Sequence, residues 1–165
     1  MAEVVIAIGS NLGDRTSMLR EAATALKKLS RDPVEFSSAW ESAPVGPAKY
    51  PFLNSVAILT TELLPIDLLH ALKNIEKRVG RDPATPRWGP RLLDLDIISW
   101  GRLAMDSEKL IIPHPEYRQR LFVLLPLQEL RPEWADPMDQ TPIRTLITQA
   151  DPVEIEQTDI SWTSI

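Results

Sequence analysis

Proline punctuates most of the regular elements this chain can form. Fifteen of the 165 residues are proline, and a ring that fixes φ and removes the N–H ends a sheet ladder and breaks a helix interior. The prolines fall between periodic stretches, so they punctuate a folded chain and do not mark a disordered one. Residues 4–8 are apolar and largely β-branched, a strand buried on both faces, and Gly9-Ser10-Asn11 follow as turn residues. Leu19, Ala22, Leu26 and Leu29 recur at spacings of three and four, an amphipathic helix with Asp14 as its N-cap. Residues 34–41 favour a strand, and Pro44, Pro47 and Pro51 hold an extended loop. Residues 52–63 make the next strand, and Pro65 opens a second helix whose apolar face is Ile66, Leu69, Leu72, Ile75 and Val79, with Gly80 as its end. A loop over 81–90 leads into 92–100, the most strand-like segment. The order β-α-β-β-α-β is that of an α+β, ferredoxin-like fold, with two helices on one face of an antiparallel sheet. Beyond this core, 118–130 reads as a helix broken at Pro126, 142–149 as a short helix, and 153–165 as a strand or a loose tail.

The expected organisation is a single domain over 1–165, with 151–165 a tail whose order is left open. At this length a domain buries roughly 70% of its unfolded surface, and 44% apolar composition supplies a core without cysteine, of which there is none. A disulfide scaffold is therefore excluded. Apolar runs such as 4–8 and 121–125 fall far short of the roughly 20 residues that span a bilayer. The first residues show no basic stretch or cleavage site of a secretory signal, so a cytoplasmic protein is expected. A net charge of −5 argues against a nucleic-acid surface. That sum hides a local surplus: residues 73–91 hold six basic and two acidic side chains, whereas 129–165 hold eight acidic and two basic.

The surplus leads into Arg87-Trp88-Gly89-Pro90-Arg91-Leu92-Leu93-Asp94-Leu95-Asp96-Ile97-Ile98. On a strand Asp94 and Asp96 share one face while Leu93, Leu95 and Ile97 take the other, roughly 6 to 7 Å apart along the chain. The wholly apolar second face points to a central strand. Paired carboxylates suit Mg²⁺, which completes its shell with water and phosphate, and the arginines Arg81, Arg87 and Arg91 suit phosphate oxygens. The competing reading is a solvated edge strand ion-paired to Arg87 or Arg91. His114, between Pro113 and Pro115, is either a presented imidazole or a hydrogen-bonded loop residue. Phe52, Phe122 and Trp88 offer a planar aromatic slot or core packing, and Asn54 offers an amide donor and acceptor. Gly9 to Gly13 lacks the spacing of a P-loop or of a dinucleotide fingerprint, and is taken as a tight turn.

These residues resemble the signature of the 6-hydroxymethyl-7,8-dihydropterin pyrophosphokinase family of folate biosynthesis. The likeness extends to Ala7-Ile8-Gly9-Ser10-Asn11-Leu12-Gly13, Phe52-Leu53-Asn54, Ile75-Glu76, Pro113-His114, Arg120 and Phe122, in the family's order over about 4–130. It implies an enzyme that transfers pyrophosphate from MgATP to the pterin hydroxymethyl group and releases AMP. By position it implies two Mg²⁺ on Asp94 and Asp96, and Arg81 and Arg91 as the catalytic arginines. ATP would be met by Glu76, Arg81, Arg87, Arg91, Ile97, Lys109, His114 and Arg120. The pterin would be met by Ser42, Val45, Phe52, Asn54, Trp88, Asp94 and Phe122. Pro115 departs from the family pattern, where an aromatic often follows the histidine. The implied partners are the two small substrates, with no nucleic acid and no membrane, and the chain acting as a monomer or homodimer. A ferredoxin-like ligand-binding or regulatory module without catalysis is the rival. An RNA-binding sheet would carry exposed aromatics and a basic surface, and a regulatory module has no use for paired aspartates beside arginines.

Overall fold

Side chains alternate across a strand, and here both faces of the sheet are apolar for most of their length, so both require cover. The computed structural model describes residues 1–11, 14–44, 50–79 and 93–163. In chain order the elements are β1 (Val4–Ser10), α1 (Arg15–Leu29), β2 (Glu35–Phe36), β3 (Trp40–Ser42), β4 (Phe52–Leu59), α2 (Pro65–Val79), β5 (Asp94–Trp100), β6 (Met105–Asp106), β7 (Ile111–Ile112), a 3-10 turn (Tyr117–Gln119), α3 (Leu121–Leu130), α4 (Ile143–Gln149) and β8 (Ile155–Gln157). The main sheet runs β5-β1-β4-β3-β8, with β2 also on β4, and its neighbours are antiparallel.

One face carries Val4, Ile6, Ile8, Leu53, Leu59, Leu95 and Ile97, packed against Leu19 and Leu26 of α1 and Leu68, Leu72 and Ile75 of α2. Burying each such Leu or Ile stabilises the fold by about 1.5 to 3 kcal/mol. Asp14 caps α1 as expected, accepting from the Ser17 N–H at 3.0 Å. The opposite face carries Val5, Val56, Ile58 and Ile98 under Val123, Leu124 and Leu127 of α3 and Ile143 and Leu146 of α4. Helices thus cover both faces, not one, because the segment after β5 returns across the sheet.

Several local expectations shift. Among the described residues β5 lies at an edge of the sheet, not at its centre; helices on both sides, not strand neighbours, bury its apolar residues. Two of its backbone groups are satisfied outside the sheet, Leu95 N–H by Glu76 Oε2 at 2.7 Å and Ile98 C=O by the His114 N–H at 2.8 Å. The strand expected over 34–41 splits into β2 and β3. At the break Ser37 Oγ accepts from the Val56 N–H at 2.9 Å, and Ser37 C=O accepts from Ser55 Oγ and Trp162 Nε1 at 3.2 Å each. Pro126 does not break α3; it is buried inside the helix. Its packing there outweighs the roughly 3 kcal/mol penalty of an interior proline. The described part of the tail, residues 151–163, packs on the domain: β8 pairs with β3, and Trp162 is 2% exposed within the first core. Among the described residues no helix is long and apolar enough to cross a membrane.

Candidate active site

Strand register builds the floor of the site. Gly9 faces Asn54 of β4 on one side and Asp94 of β5 on the other, and one step along Ala7 faces Asp96. These positions share the face covered by α3 and α4, but the apolar contacts of that cover end at Val56 and Ala7. Beyond them lies a cavity of about 620 Å³. Gly9, expected in a turn, is the next-to-last residue of β1 and part of the floor; a Cβ there would stand 3.7 Å from Asn54 Oδ1.

Seven of the expected site residues line this cavity: Ser42, Phe52, Asn54, Asp94, Asp96, Arg120 and Phe122. Asn54 and Ser42 are nearly fully buried at its base, 4% and 2% exposed. The Asn54 amide donates to Trp40 C=O at 3.1 Å and to Ser42 Oγ at 2.9 Å. Both of its N–H groups are thereby used by the protein, so toward a ligand Asn54 presents an acceptor and no donor. Arg120 Nη2 pairs with Glu116 Oε2 at 2.5 Å, and its guanidinium lies 5.6 Å from the Phe122 ring centroid. One arginine therefore reaches both the acidic side and the aromatic side of the cavity.

His114 is half-buried beside this group. Its backbone is fixed by Ile98 C=O, and its Nδ1 accepts from the Glu116 N–H at 3.1 Å. Burial lowers its pKa, with Arg120 acting in the same direction and Asp96 and Glu116 opposing. A neutral imidazole whose Nδ1 accepts carries its proton on Nε2, which is then a donor.

Other expected residues stand apart from the cavity. Glu76 is buried on α2 and bonds the Leu95 N–H from there, with Lys73 Nζ at 3.2 Å. The Ile97 side chain lies in the opposite core, and Lys109 is exposed beside the β6–β7 hairpin. Val45, Arg81, Arg87, Trp88 and Arg91 lie outside the described residues, as does Gly80, the expected end of the second helix. Sequence reasoning passed over Glu116 and Gln119, which line the cavity from a 3-10 turn that carries no periodic signal, and residues 151–153, which arrive from the tail.

The donor chemistry at Asp94 and Asp96 fits a hard cation. Both carboxylates belong to alternate residues of one strand and both line the cavity. Among the described residues no group of three or more His, Cys, Asp or Glu side chains forms a metal cluster. A cation held by two carboxylates takes its remaining ligands from water and substrate, the habit of Mg²⁺ with phosphates.

Residues 5–132 match the family described as 7,8-dihydro-6-hydroxymethylpterin-pyrophosphokinase. The chain belongs to this family. A 2-amino-4-hydroxy-6-hydroxymethyldihydropteridine pyrophosphokinase of Synechocystis is 38% identical over 148 residues, 89% of this chain and 75% of that protein. Its namesake in Pseudomonas aeruginosa is 43% identical over 132 residues, 79% of this chain and 81% of that one. A folate synthesis bifunctional protein of Arabidopsis thaliana is 44% identical over 129 residues, but the match spans only 27% of it. A crystal structure of Plasmodium falciparum HPPK-DHPS superposes with a TM-score of 0.71 at 14% identity, covering 90% of this chain and 44% of that one. At such low identity this likeness speaks for the fold alone, which is ferredoxin-like. As a member of the family the chain is a pyrophosphokinase of folate biosynthesis, with ATP as co-substrate and hydroxymethyldihydropterin as acceptor.

Proposed function

We propose that the cavity is where pyrophosphate passes from ATP to 6-hydroxymethyl-7,8-dihydropterin, with each substrate held by a different side of it. The observation that carries this reading is the convergence of Asp94 and Asp96 with Phe52, Phe122 and Asn54 on one cavity. Phe52 and Phe122 take the flat heterocycle between them, and Asn54 Oδ1 accepts one of its N–H groups. Because both amide N–H groups of Asn54 are engaged at the base of β3, the acceptor is fixed before the substrate arrives.

Asp94 and Asp96 hold two Mg²⁺ ions, which neutralise phosphate oxygens when bound. Arg120 exchanges Glu116 for a phosphate oxygen, and the His114 Nε2–H donates to the nucleotide. Arg81 and Arg91 act on the transferred group, with Arg87 and Lys109 as further cations. Glu76 acts on the nucleotide side through the strand it braces, and Ile97 through its backbone. Val45, Trp88 and the Asp94 carboxylate complete the pterin contacts. The chemistry needs an in-line alcohol, aligned donors and exclusion of water more than a nucleophilic side chain. Residues 1–165 form one domain, which acts in the cytoplasm as a monomer or homodimer and binds neither nucleic acid nor membrane.

The test is incubation of the purified protein with MgATP and the reduced hydroxymethylpterin, followed by chromatography of the nucleotides. AMP with pterin diphosphate is expected. ADP, or no turnover, overturns the reading.

A further inference from the structure

Part of the cavity wall comes from beyond residue 132, where the family match ends. Asp151, Pro152 and Val153 line the same cavity as Ser42, Phe52 and Asn54. They are held at both ends. The Asp151 N–H donates to Gln119 C=O at 3.1 Å, just before Arg120 and α3, and Glu154 C=O accepts from the Ala43 N–H at 2.9 Å, just beyond β3. Three residues thus cross the gap between the helix that carries Phe122 and the strand that carries Ser42.

The residues that follow tie the segment to the sheet. Next in sequence, Ile155 pairs with Ser42, Glu156 with Glu41 and Gln157 with Trp40. Glu129 of α3 accepts from Ser38 N–H, Trp40 Nε1 and Gln157 Nε2 at 2.7, 3.1 and 3.2 Å, tying helix, strand and tail together. Trp162 then closes the tail into the first core, edge-on to Phe36 at 5.3 Å.

Its chemistry indicates which ligand it meets. Pro152 has no N–H, Val153 is a half-buried aliphatic, and the one charge of the three residues is the Asp151 carboxylate. Asp151 is bridged through its backbone to Arg120, so the apolar edge of Pro152 and Val153 is the part of this wall that suits a flat neutral heterocycle. We propose that residues 151–153 are a specificity-determining wall of the heterocycle compartment. Val153 and Pro152 abut the edge of the dihydropterin ring.

This rests on the pterin reading of the site, and the experiment separates the two. Val153→Ala and Val153→Trp are titrated with the reduced hydroxymethylpterin, by fluorescence in the presence of Mg²⁺ and a non-hydrolysable ATP analogue, and separately with the analogue alone. Near-UV circular dichroism confirms that each variant is folded. Val153→Ala is expected to weaken pterin binding about fivefold through lost apolar contact. Val153→Trp is expected to weaken it at least about tenfold by filling the compartment. Nucleotide affinity stays within about twofold of wild type for both, since it uses the other side of the cavity. Unchanged pterin affinity in both variants, or nucleotide affinity falling in step, overturns the wall alone. A wild-type protein that binds no dihydropterin overturns the proposed function and the wall with it.

Discussion

The Leu95 N–H lies between the two aspartates, and Glu76 bonds it at 2.7 Å from α2 while Lys73 Nζ stands 3.2 Å from the other carboxylate oxygen. A side chain on the far core therefore holds the backbone from which Asp94 and Asp96 project. Removing the acceptor strands a buried N–H on the strand that carries the site. Glu76→Ala is expected to lower stability by about 2 kcal/mol in urea unfolding, and to reduce kcat by loosening the spacing of the two carboxylates. Glu76→Gln keeps an acceptor and should recover most of both; equal losses in the two variants would show that the charge, not the hydrogen bond, matters. Asn54 teaches a related lesson at the same scale. Its residue type announced a donor and an acceptor, and only its neighbours on β3 decide that the acceptor alone faces the cavity.

Among the elements, α1, α2 and the strands that flank them were legible because each carries its own period: three and four along Leu19 to Leu29, two along the strands. The segments misread or left open are those whose conformation is imposed from outside. Ser37 interrupts β2 and β3 because its hydroxyl takes the Val56 N–H, and Pro126 sits inside α3 because the helix is buried between the sheet and α4. The tail is the clearest case. Its β8 has three residues and weak alternation, and it is secured by Trp162, whose ring is buried and whose Nε1 bonds Ser37 C=O at 3.2 Å. Trp162→Ala is expected to cost about 3 to 5 kcal/mol in denaturant unfolding. It should also release the amides of 155–158 to faster hydrogen exchange while β1 and β4 stay protected to the global limit. If the tail amides remained as slow as those of β1, β8 would be independently held and Trp162 merely core filling.

For the molecule as a whole, ion pairs join segments distant in sequence, and their titration contributes to the pH dependence of the fold. Arg131 clamps Glu35 at 2.8 Å and Glu3 at 2.6 Å, and its hydrogen bond to Glu35 holds that carboxyl below its usual 4.5. Hydrogen bonds from Arg118 and Thr141 lower Asp139 to about 2. Both carboxyls have folded pKa values below their unfolded ones, so their contribution is present above about pH 4.5 and is lost as pH falls toward 2. Burial, with the hydrogen bond to Asp136, raises Tyr117 above its usual 10, so its contribution is intact below pH 10 and is lost above it. Thermal melting across pH is expected to show an acid decline beginning between 4.5 and 3, and 0.5 M salt should shrink it, because Glu35 and Asp139 are exposed. An acid limb unaffected by salt would assign the decline to other groups. The sequence alone determined the β-α-β-β-α-β core, the pairing of Asp94 with Asp96 on one face and the family, since alternation, helical period and motif order are local properties of the chain. Only the tertiary structure decided that helices cover both faces, that β5 lies at an edge among the described residues, that Glu76 serves the site from behind, and that residues 151–153 wall the cavity. Each of those depends on contacts between residues far apart in sequence, which no local pattern encodes.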